Sequence, residues 1–436
     1  MKKFTFKGGI HPPSNKEMTA HLPIKILTPP EILSFPMSQH IGAPATPTVK
    51  KGDRVLMYQV IGEGTGGVSA SVHSSVSGEV LDIVKKEMPT GMSCDHVIIK
   101  NDFKDEAIAL SSMKDLSAPQ IAKEAGIVGM GGATFPTHIK LSIPEGKKAE
   151  CVIINGAECE PYITSDHRVL LERGESVFKG LKLVMEKLGA EKGFIAIEKN
   201  KSDAIESMKK ICEGEENIKV IPLEVKYPQG SEKQLISAIL KREVPRGRGL
   251  PIDIGCVVLN VDTVYSIWRA AYFGEPLISR IVTVSGPLIK KAVNFEVRLG
   301  TPIDYLVESA GGLLGECEKI IMGGPMMGLA LPHTDFSVTK GCGSILFFGE
   351  EDIKHESEIS CIRCGRCISA CPMSLMPQSI CNNAAAGLYD ECEKYGVSDC
   401  IECGACTYVC PSKRYITQYI RLCKQKLREK GIGGRK

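Results

Sequence analysis

Along the middle of the chain, apolar residues follow two different periods that alternate with each other. Four short, almost continuous apolar runs have the length expected of buried strands: 151–155, 193–197, 220–225 and 256–259. Three segments between them carry apolar residues at helical spacing: 168–188, 203–212 and 232–241. A further helix follows the last run and contains Trp268, the only Trp. This alternation predicts a mainly parallel sheet with covering helices, an α/β domain over residues 116–278.

The first part of the chain has shorter apolar runs and many turn residues. Residues 1–45 are rich in Pro and Gly, which predicts an irregular segment that wraps around the rest. After them, short β runs broken by Gly predict a small β-sandwich. Its KGD turn (51–53) and SGEV segment (77–80) resemble the lipoyl/biotinyl hammerhead fold, although no Lys lies between residues 52 and 84 to carry a prosthetic group. We therefore predict a structural β domain over residues 1–115.

Beyond residue 278 the pattern changes again. Three runs have the composition of strands: 281–286, 293–298 and 320–325. A helix is predicted to start at Thr301, with Asp304 in a variant of the capping box, and to end at Gly311 and Gly312. Together these elements predict a small β-grasp domain over residues 279–349. An acidic stretch then leads into a cysteine-rich domain over residues 350–436.

Eight cysteines of the last domain form two copies of the pattern C-x2-C-x2-C-x3-C-P. This pattern is typical of a pair of [4Fe–4S] clusters, because three closely spaced thiolates surround one cubane and the fourth Cys belongs to the other cluster. The predicted ligands of cluster 1 are Cys361, Cys364, Cys367 and Cys410. Those of cluster 2 are Cys371, Cys400, Cys403 and Cys406. Zinc and disulfides are the alternatives, but zinc sites usually pair two CxxC elements.

Composition limits the class of protein and its compartment. Of the 436 residues, 43% are hydrophobic and 24% are charged, as in a soluble globular protein of about three domains. No apolar run reaches the roughly 18 residues that span a bilayer, and no apolar segment of a signal peptide follows Met1. The net charge of +3 gives no reason to expect nucleic-acid binding. Since the clusters account for eight of the 18 cysteines, a reducing, intracellular compartment is predicted.

The positive charge is concentrated at the C-terminus. Residues 413–436 contain nine Lys or Arg and one acid, Glu429. Four apolar residues fall on one helical stripe: Ile416, Ile420, Cys423 and Leu427. A basic amphipathic helix of this kind is able to dock on anionic lipid or on an acidic partner, and a solvated terminal helix is the alternative.

A second group of candidate residues lies in the α/β domain. The segment GIVGMGGATFPTHIK (126–140) has glycines at a density that lets backbone N–H groups approach a phosphate, and Lys140 supplies a counter-charge. The next predicted strand ends in Asn155, followed by Glu158 and Glu160, at the position where α/β sheets bind ligands. These groups are able to bind ribose hydroxyls or a flavin ring. A structural turn and a solvated acidic loop are the alternatives.

In combination these segments resemble the RnfC proteins of the Rnf electron-transport complex, a family of NADH:ferredoxin oxidoreductases. The flavin domain of that family is similar to the flavin subunit of respiratory complex I. The resemblance covers essentially the whole chain and rests on HIGAPATPTVKKGD (40–53), VHSSVSGEV (72–80), GMGGATFPTHIKL (129–141), INGAECEPYITSDHR (154–168), YPQGSEKQL (227–235), NVDTV (260–264) and the paired cysteine motifs. It implies a hammerhead-like sandwich, a Rossmann-like FMN domain, an SLBB-like β-grasp domain and a helical, ferredoxin-like dicluster domain.

The resemblance also implies which residues bind the cofactors. FMN would be held by Gly129, Gly131, Gly132, Lys140, Asn155, Asn260 and Thr263, with Glu158 in the same site. The positions that contact NAD(H) in the complex I relatives are Phe135, Glu160 and Glu232. The chain departs from the complex I pattern at Met130, Ala157 and Ser231, where the relatives have Arg, Asp and an acid.

The function implied is that of a peripheral oxidoreductase subunit on the cytoplasmic side of the bacterial inner membrane. It would exchange electrons between NAD(H) and ferredoxin through FMN and two [4Fe–4S] clusters, with other Rnf subunits as partners. A flavin is needed because a nicotinamide transfers two electrons and a cluster takes one. We interpret His138 as a packing residue, since no nucleophilic triad is recognisable. A microcompartment cobalamin reductase of the same architecture is the alternative, followed by a zinc-binding scaffold.

Overall fold

The computed structural model describes residues 3–247 and 249–431, and its N-terminal part is a β domain. This part contains eight strands: β1 (Ile24–Ile26), β2 (Ile32–Pro36), β3 (Thr46–Pro47), β4 (Arg54–Val55), β5 (Val60–Glu63), β6 (Val72–His73), β7 (Gly78–Glu87) and β8 (Ser93–Asn101). The antiparallel sheet β2-β8-β7-β4 and the three-stranded sheet β3-β5-β6 form the predicted sandwich. Leu33, Phe35 and Val97 are fully buried in its core.

The first 45 residues wrap around the molecule as predicted, but they are not irregular throughout. Strand β2 belongs to the sandwich, whereas β1 pairs in parallel with a strand of the β-grasp domain, Val293–Arg298. Closer to the N-terminus, Ile10 pairs with Tyr227 of the α/β domain, and the Gly9 amide donates to the Ala370 carbonyl of the last domain. One segment therefore contacts all four domains.

The α/β domain follows the predicted order of strands and helices. Its elements are α1 (Ala118–Glu124), α2 (Thr137–Leu141), β9 (Cys151–Gly156), α3 (Ser165–Leu188), β10 (Lys192–Glu198), α4 (Ser202–Ile211), β11 (Ile218–Leu223), α5 (Glu232–Leu240), β12 (Cys256–Asn260) and α6 (Val261–Phe273). The sheet is parallel, in the order β11-β10-β9-β12. Val152 and Ile154 share a core with α3 and α6, whereas Ile153 shares one with α5. Burial on both faces explains the continuous apolar runs.

The β-grasp region adds β13 (Ser279–Ser285), β14 (Val293–Arg298), α7 (Ile303–Ser309), β15 (Lys319–Met322), β16 (Leu329–Leu331) and β17 (Ser344–Phe348). With β1 they form one sheet in the order β1-β14-β13-β17-β15-β16. The predicted capping box at Thr301 is wrong, because Pro302 occupies the N-cap position and no side chain caps the helix. The end of the helix is as predicted, with Gly311 at φ 86° and Gly312 at φ 88°.

The last domain consists of short helices around a small core. They are α8 (Arg366–Ala370), α9 (Pro377–Ala385), α10 (Tyr389–Glu393), α11 (Ala405–Tyr408) and α12 (Ile416–Glu429). The apolar stripe of α12 is buried to 2% exposure or less and packs against Ile380 and Cys392. The stripe is therefore not available for docking on lipid or on a partner, since it already forms the core of its own domain. Docking of the helix through its basic residues stays a prediction. Residues 432–436 of the basic tail lie outside the described residues.

Basic residues in and next to α12 also have acidic partners within the domain. Lys413 pairs with Glu356, Arg414 with Glu358, Lys424 with Glu402 and Lys430 with Asp390. Within residues 3–247 and 249–431, no helix is long and apolar enough to cross a membrane.

Candidate redox site

The strand order of the α/β domain creates a crevice at one edge of its sheet. From β9 the chain adds β10 and β11 on one side and β12 on the other, so the order reverses between β9 and β12. Asn155 is the penultimate residue of β9, Asn260 is the last residue of β12, and the two are paired in register. Ligands of open α/β sheets bind outside the carboxyl ends of the strands at such a switch point. The structure therefore brings two predicted FMN residues to the expected place.

The Gly-rich loop lies over this crevice as a turn that backbone hydrogen bonds hold together. Val128 pairs with Pro136, the Gly129 amide donates to the Phe135 carbonyl at 2.9 Å, and Phe135 lies half-buried on the rim. At the tip, a Cβ on Gly131 would lie 2.8 Å from Nδ2 of Asn260. A Cβ on Gly132 would meet no described atom within 4 Å. The tip is thus exposed backbone beside Asn260, with room for a phosphate to approach its N–H groups.

Polar groups are held in fixed orientations beneath the loop. The Asn260 side chain accepts from the Asp262 amide at 2.9 Å and donates to Oδ2 of Asp166 at 2.7 Å. Nδ2 of the Asn155 side chain donates to the Gly230 carbonyl at 2.7 Å. Burial raises the pKa of Asp166 to about 8, and the nearby carboxylates of Glu158 and Asp262 add to the rise. Sequence reasoning did not single out Asp166, although it lies within the matched segment 154–168.

Lys140 and Glu232 meet at the other side of the crevice. Nζ of Lys140 lies 2.6 Å from Oε1 of Glu232 and also donates to the Val258 carbonyl at 3.0 Å. Both side chains are about one-third exposed. The predicted phosphate counter-charge and the predicted NAD contact are therefore neighbours, 92 residues apart in sequence.

Three of the predicted ligands have different roles in the structure. Glu158 is 7% exposed and accepts from the Asp166 amide at 2.8 Å, which places its charge at the N-terminus of α3. Glu160 accepts from the amides of Met326 and Met327, both at 3.0 Å, in a turn of the β-grasp domain. Thr263 is fully buried, and its hydroxyl accepts from the Met130 amide at 3.0 Å. These side chains hold the helix, the domain interface and the loop, and their contact with a cofactor stays a prediction.

Two buried basic residues that the sequence did not indicate also hold the loop. Arg280 is 3% exposed, forms an ion pair with Asp262 and donates to the Met130 carbonyl at 3.3 Å. Lys340 is fully buried and donates to the carbonyls of Gly126, at 2.6 Å, and Ser71. Its ammonium thus joins the N-terminal sandwich to the first residue of the Gly-rich loop. Neither residue carries a local signal, because each lies far from the loop in sequence.

Lys340 leads to a prediction for the pH dependence of stability. Burial lowers the pKa of its ammonium from 10.5 to about 7. Between these values the unfolded chain binds one proton more than the folded chain, so the contribution of Lys340 to stability rises with pH. We expect the thermal stability of the wild type, relative to that of Lys340→Met, to increase from pH 7 to pH 10, as measured by calorimetry. A difference that stays constant over this range would contradict a depressed pKa.

For six of the eight motif cysteines the structure shows which sulfurs are neighbours. Burial raises the pKa values of the Cys400, Cys403 and Cys406 thiols to about 12, and Cys371 adds to the rise at all three. Burial also raises the pKa of Cys367, where the neighbouring sulfur is that of Cys410. The fourth cysteine of each motif thus lies beside the thiols of the other motif, which supports the crossed ligation.

The backbone of the two motifs follows the same path and suits thiolate ligands. Arg363 and Glu402, at equivalent positions, have φ of 57° and 56°, and Gly365 and Gly404 follow with φ of 75° and 79°. The Glu402 amide donates to the sulfur of Cys400 at 3.4 Å. In the described residues, no three His, Cys, Asp or Glu side chains are placed to bind a single metal ion together. In a cubane, by contrast, each iron takes its own thiolate.

Family models match four successive parts of the chain. They are the RnfC Barrel sandwich hybrid domain over residues 4–104, the Nuo51 FMN-binding domain over 122–269, the SLBB domain over 281–330 and the 4Fe-4S dicluster domain over 353–411. Each range falls inside one of the four predicted domains, whose boundaries stay predictions. The predicted fold class and the predicted cofactors, FMN and two [4Fe–4S] clusters, are confirmed, and the zinc and cobalamin alternatives are not favoured.

Relatives match over nearly the whole length. The chain is 46% identical to the C subunit of the Na(+)-translocating ferredoxin:NAD(+) oxidoreductase complex of Acetobacterium woodii, over 98% of each chain. It is 47% identical to the proton-translocating counterpart of Clostridium ljungdahlii, over 98% of this chain and 95% of the relative. The C subunit of the ion-translocating oxidoreductase complex of Rhodobacter capsulatus is 38% identical, over 99% of this chain and 84% of the relative.

A solved structure shares the fold alone. It is an NAD+-reducing [NiFe]-hydrogenase in the air-oxidized state, with a TM-score of 0.50, 20% identity and coverage of 71% of this chain and 60% of that chain. Together with the full-length relatives and the flavin and dicluster models, these findings identify an electron-transport subunit of the oxidoreductase class. The chain belongs to the RnfC family of the Rnf ion-translocating ferredoxin:NAD(+) oxidoreductase complexes.

Proposed function

We propose that this chain exchanges electrons between NAD(H) and ferredoxin within a membrane-bound, ion-translocating complex. FMN would occupy the switch point of the α/β domain, and the two clusters would occupy the last domain. The relatives from Acetobacterium woodii and Clostridium ljungdahlii carry the names of such complexes. On this basis we place the chain as a peripheral subunit on the cytoplasmic side of the membrane, with the other members of the complex as partners.

The contact between the α/β domain and the cluster 2 motif carries this proposal. Tyr227 is 2% exposed, and its hydroxyl donates to the Cys403 carbonyl at 2.7 Å. Gln234, on α5, donates to the carbonyl of Pro372, the residue after Cys371, at 3.2 Å. The same segment holds Glu232 at the crevice. Cluster 2 would therefore lie next to the α/β domain, and cluster 1 would lie farther from that domain.

The residues of the crevice would position the cofactor. When bound, FMN exchanges a hydride with a nicotinamide and single electrons with an iron–sulfur cluster. Gly131 and Gly132 leave room for the phosphate, and Lys140 supplies positive charge to it. Asn155 and Asn260 keep their amides at the switch point through hydrogen bonds to Gly230 and Asp166.

The proposed NAD contacts are those that remain open to the crevice. Phe135 lies half-buried on the rim of the loop, where its ring is available for stacking on a nicotinamide or an adenine. Glu232 is 36% exposed and able to accept from a hydroxyl of a ribose. Glu160 is left out of this set, because its carboxylate holds the β-grasp turn.

Anaerobic purification followed by NADH titration tests the proposal. We expect one FMN and about eight iron and eight sulfide atoms per chain. NADH should bleach the flavin absorbance first and reduce the clusters afterwards, while an added corrinoid stays oxidised. A protein that contains flavin and clusters but is not reduced by NADH would contradict the proposal, and rapid reduction of the corrinoid would favour the cobalamin reductase.

A further inference from the structure

The predicted ligands of cluster 1 are more exposed than those of cluster 2. All eight motif cysteines lie in the described part of the chain, and Cys364 is the exposed one among them. In the cluster 2 set, Cys403 and Cys406 are buried, and Cys371 and Cys400 are partly buried. An electron therefore has its shortest route between the clusters and an outside protein at Cys364.

Exposed apolar residues lie close to this ligand in sequence. Ile362, between Cys361 and Cys364, is 64% exposed, and Ile368, after Cys367, is 38% exposed. Ile359 is 57% exposed, and its amide donates to the Ser412 carbonyl at 3.1 Å, which places it beside the end of the second motif. An apolar group of this kind around a redox centre is typical of a protein interaction site. We call the surface formed by Ile359, Ile362, Arg363, Cys364, Arg366 and Ile368 the cluster 1 face.

The charges of the cluster 1 face are positive and unbalanced. Arg363 and Arg366 are exposed, and neither forms an ion pair or a side-chain hydrogen bond with any residue of 3–247 or 249–431. Elsewhere in the same domain, Arg421 and Lys424 share Glu402, and Lys430 pairs with Asp390. Two unpaired guanidinium groups in an apolar surface match a partner that presents carboxylates.

We propose that the cluster 1 face docks an acidic one-electron carrier protein, with its arginines on carboxylates that surround the carrier's own redox centre. In each transfer, cluster 1 loses one electron and the carrier's iron–sulfur or flavin centre gains it, or the reverse. The inference rests on the proposed function, in which cluster 1 is the outer end of the chain of cofactors. A protein partner is favoured over anionic lipid because the positive charges lie at the one exposed cluster ligand.

The test measures the rate at which a reduced acidic ferredoxin with two [4Fe–4S] clusters is oxidised by the loaded full-length protein. Stopped-flow absorbance gives the second-order rate constant at several salt concentrations. For Arg363→Glu/Arg366→Glu we expect this constant to fall by roughly 10- to 100-fold at low salt. The difference should shrink as salt screens the charges.

Matched controls separate docking from assembly. Arg428→Glu reverses an exposed charge on α12, away from the cluster 1 face, and should leave the rate unchanged. Iron content and the NADH reduction of bound FMN should be the same in all three proteins. If the double charge reversal prevents cluster assembly, Arg363→Gln/Arg366→Gln takes its place, with a smaller decrease in the same direction.

The possible outcomes are distinct. Equal rate constants for the wild type and the assembled double variant at low salt would overturn the proposal. Sedimentation with phosphatidylglycerol vesicles that depends on the two arginines, together with unchanged ferredoxin rates, would show a lipid surface and would also overturn it. A wild type that oxidises the ferredoxin in an arginine-dependent way but does not react with NADH would support the docking face and contradict the proposed function.

Discussion

Replacement of Gly132 with leucine is expected to abolish FMN binding while the fold and both iron–sulfur clusters stay intact. A Cβ at this position meets no described atom within 4 Å, so a side chain there begins in open space and not against the protein. The space that it enters is the exposed tip of the loop at the switch point, where backbone has to approach the phosphate. The effect should therefore fall on the cofactor rather than on stability.

Flavin content and iron content of the anaerobically purified variant check this prediction. Gly315→Leu is the matched control, because Gly315 is also an exposed glycine with nothing closer than 3.8 Å to its Cβ. Gly131→Leu is a useful contrast, since its Cβ would lie 2.8 Å from Asn260 and should disturb the loop itself. Full FMN content in the Gly132 variant would show that the phosphate does not bind at this tip.

Replacement of Cys371 with alanine is expected to remove the cluster of the second motif, although Cys371 belongs to the first. Cys371 contributes to the pKa values of Cys400, Cys403 and Cys406, so its sulfur lies among theirs. The variant should lose roughly four of eight iron atoms. In the proposed arrangement cluster 2 connects the flavin to cluster 1, so NADH should still reduce FMN, whereas electrons should no longer reach cluster 1.

Electron paramagnetic resonance of the reduced protein distinguishes the two clusters. Cys410→Ala is the matched variant, and it should lose the other signal and keep cluster 2 reducible by NADH. If Cys371→Ala loses the cluster of the first motif instead, the crossed ligation is wrong. If electrons still reach cluster 1 at the normal rate without cluster 2, the proposed order of cofactors is wrong.

The elements of the α/β domain were predictable because the pattern has a local physical cause. A strand buried on both faces has to be apolar at every position, and its covering helices have to be apolar on one stripe. The predicted runs therefore correspond to β9, β10, β11 and β12 with small shifts at their ends. The cysteine motifs were equally predictable, because three of the four ligands of each cluster lie close together in the sequence.

The partners of polar side chains were not predictable in the same way. Asn155, Asn260, Glu158 and Glu160 all follow or end strands and look alike as candidate ligands. The fold leaves the two asparagines at the switch point, but it turns Glu158 to the start of α3 and Glu160 to the β-grasp turn. Which donor a buried carboxylate finds depends on elements from elsewhere in the chain.

The C-terminal helix also shows which features follow from the local sequence and which depend on contacts between distant segments. By itself, the sequence determined that α12 is helical, that one stripe of it is apolar, and that eight cysteines form two cluster motifs. Only the tertiary structure decided that the stripe lies in the core of its own domain, and that Lys340 and Arg280 hold the Gly-rich loop. Periodicity and motif spacing arise from neighbours along the chain, whereas these contacts join segments that folding alone brings together.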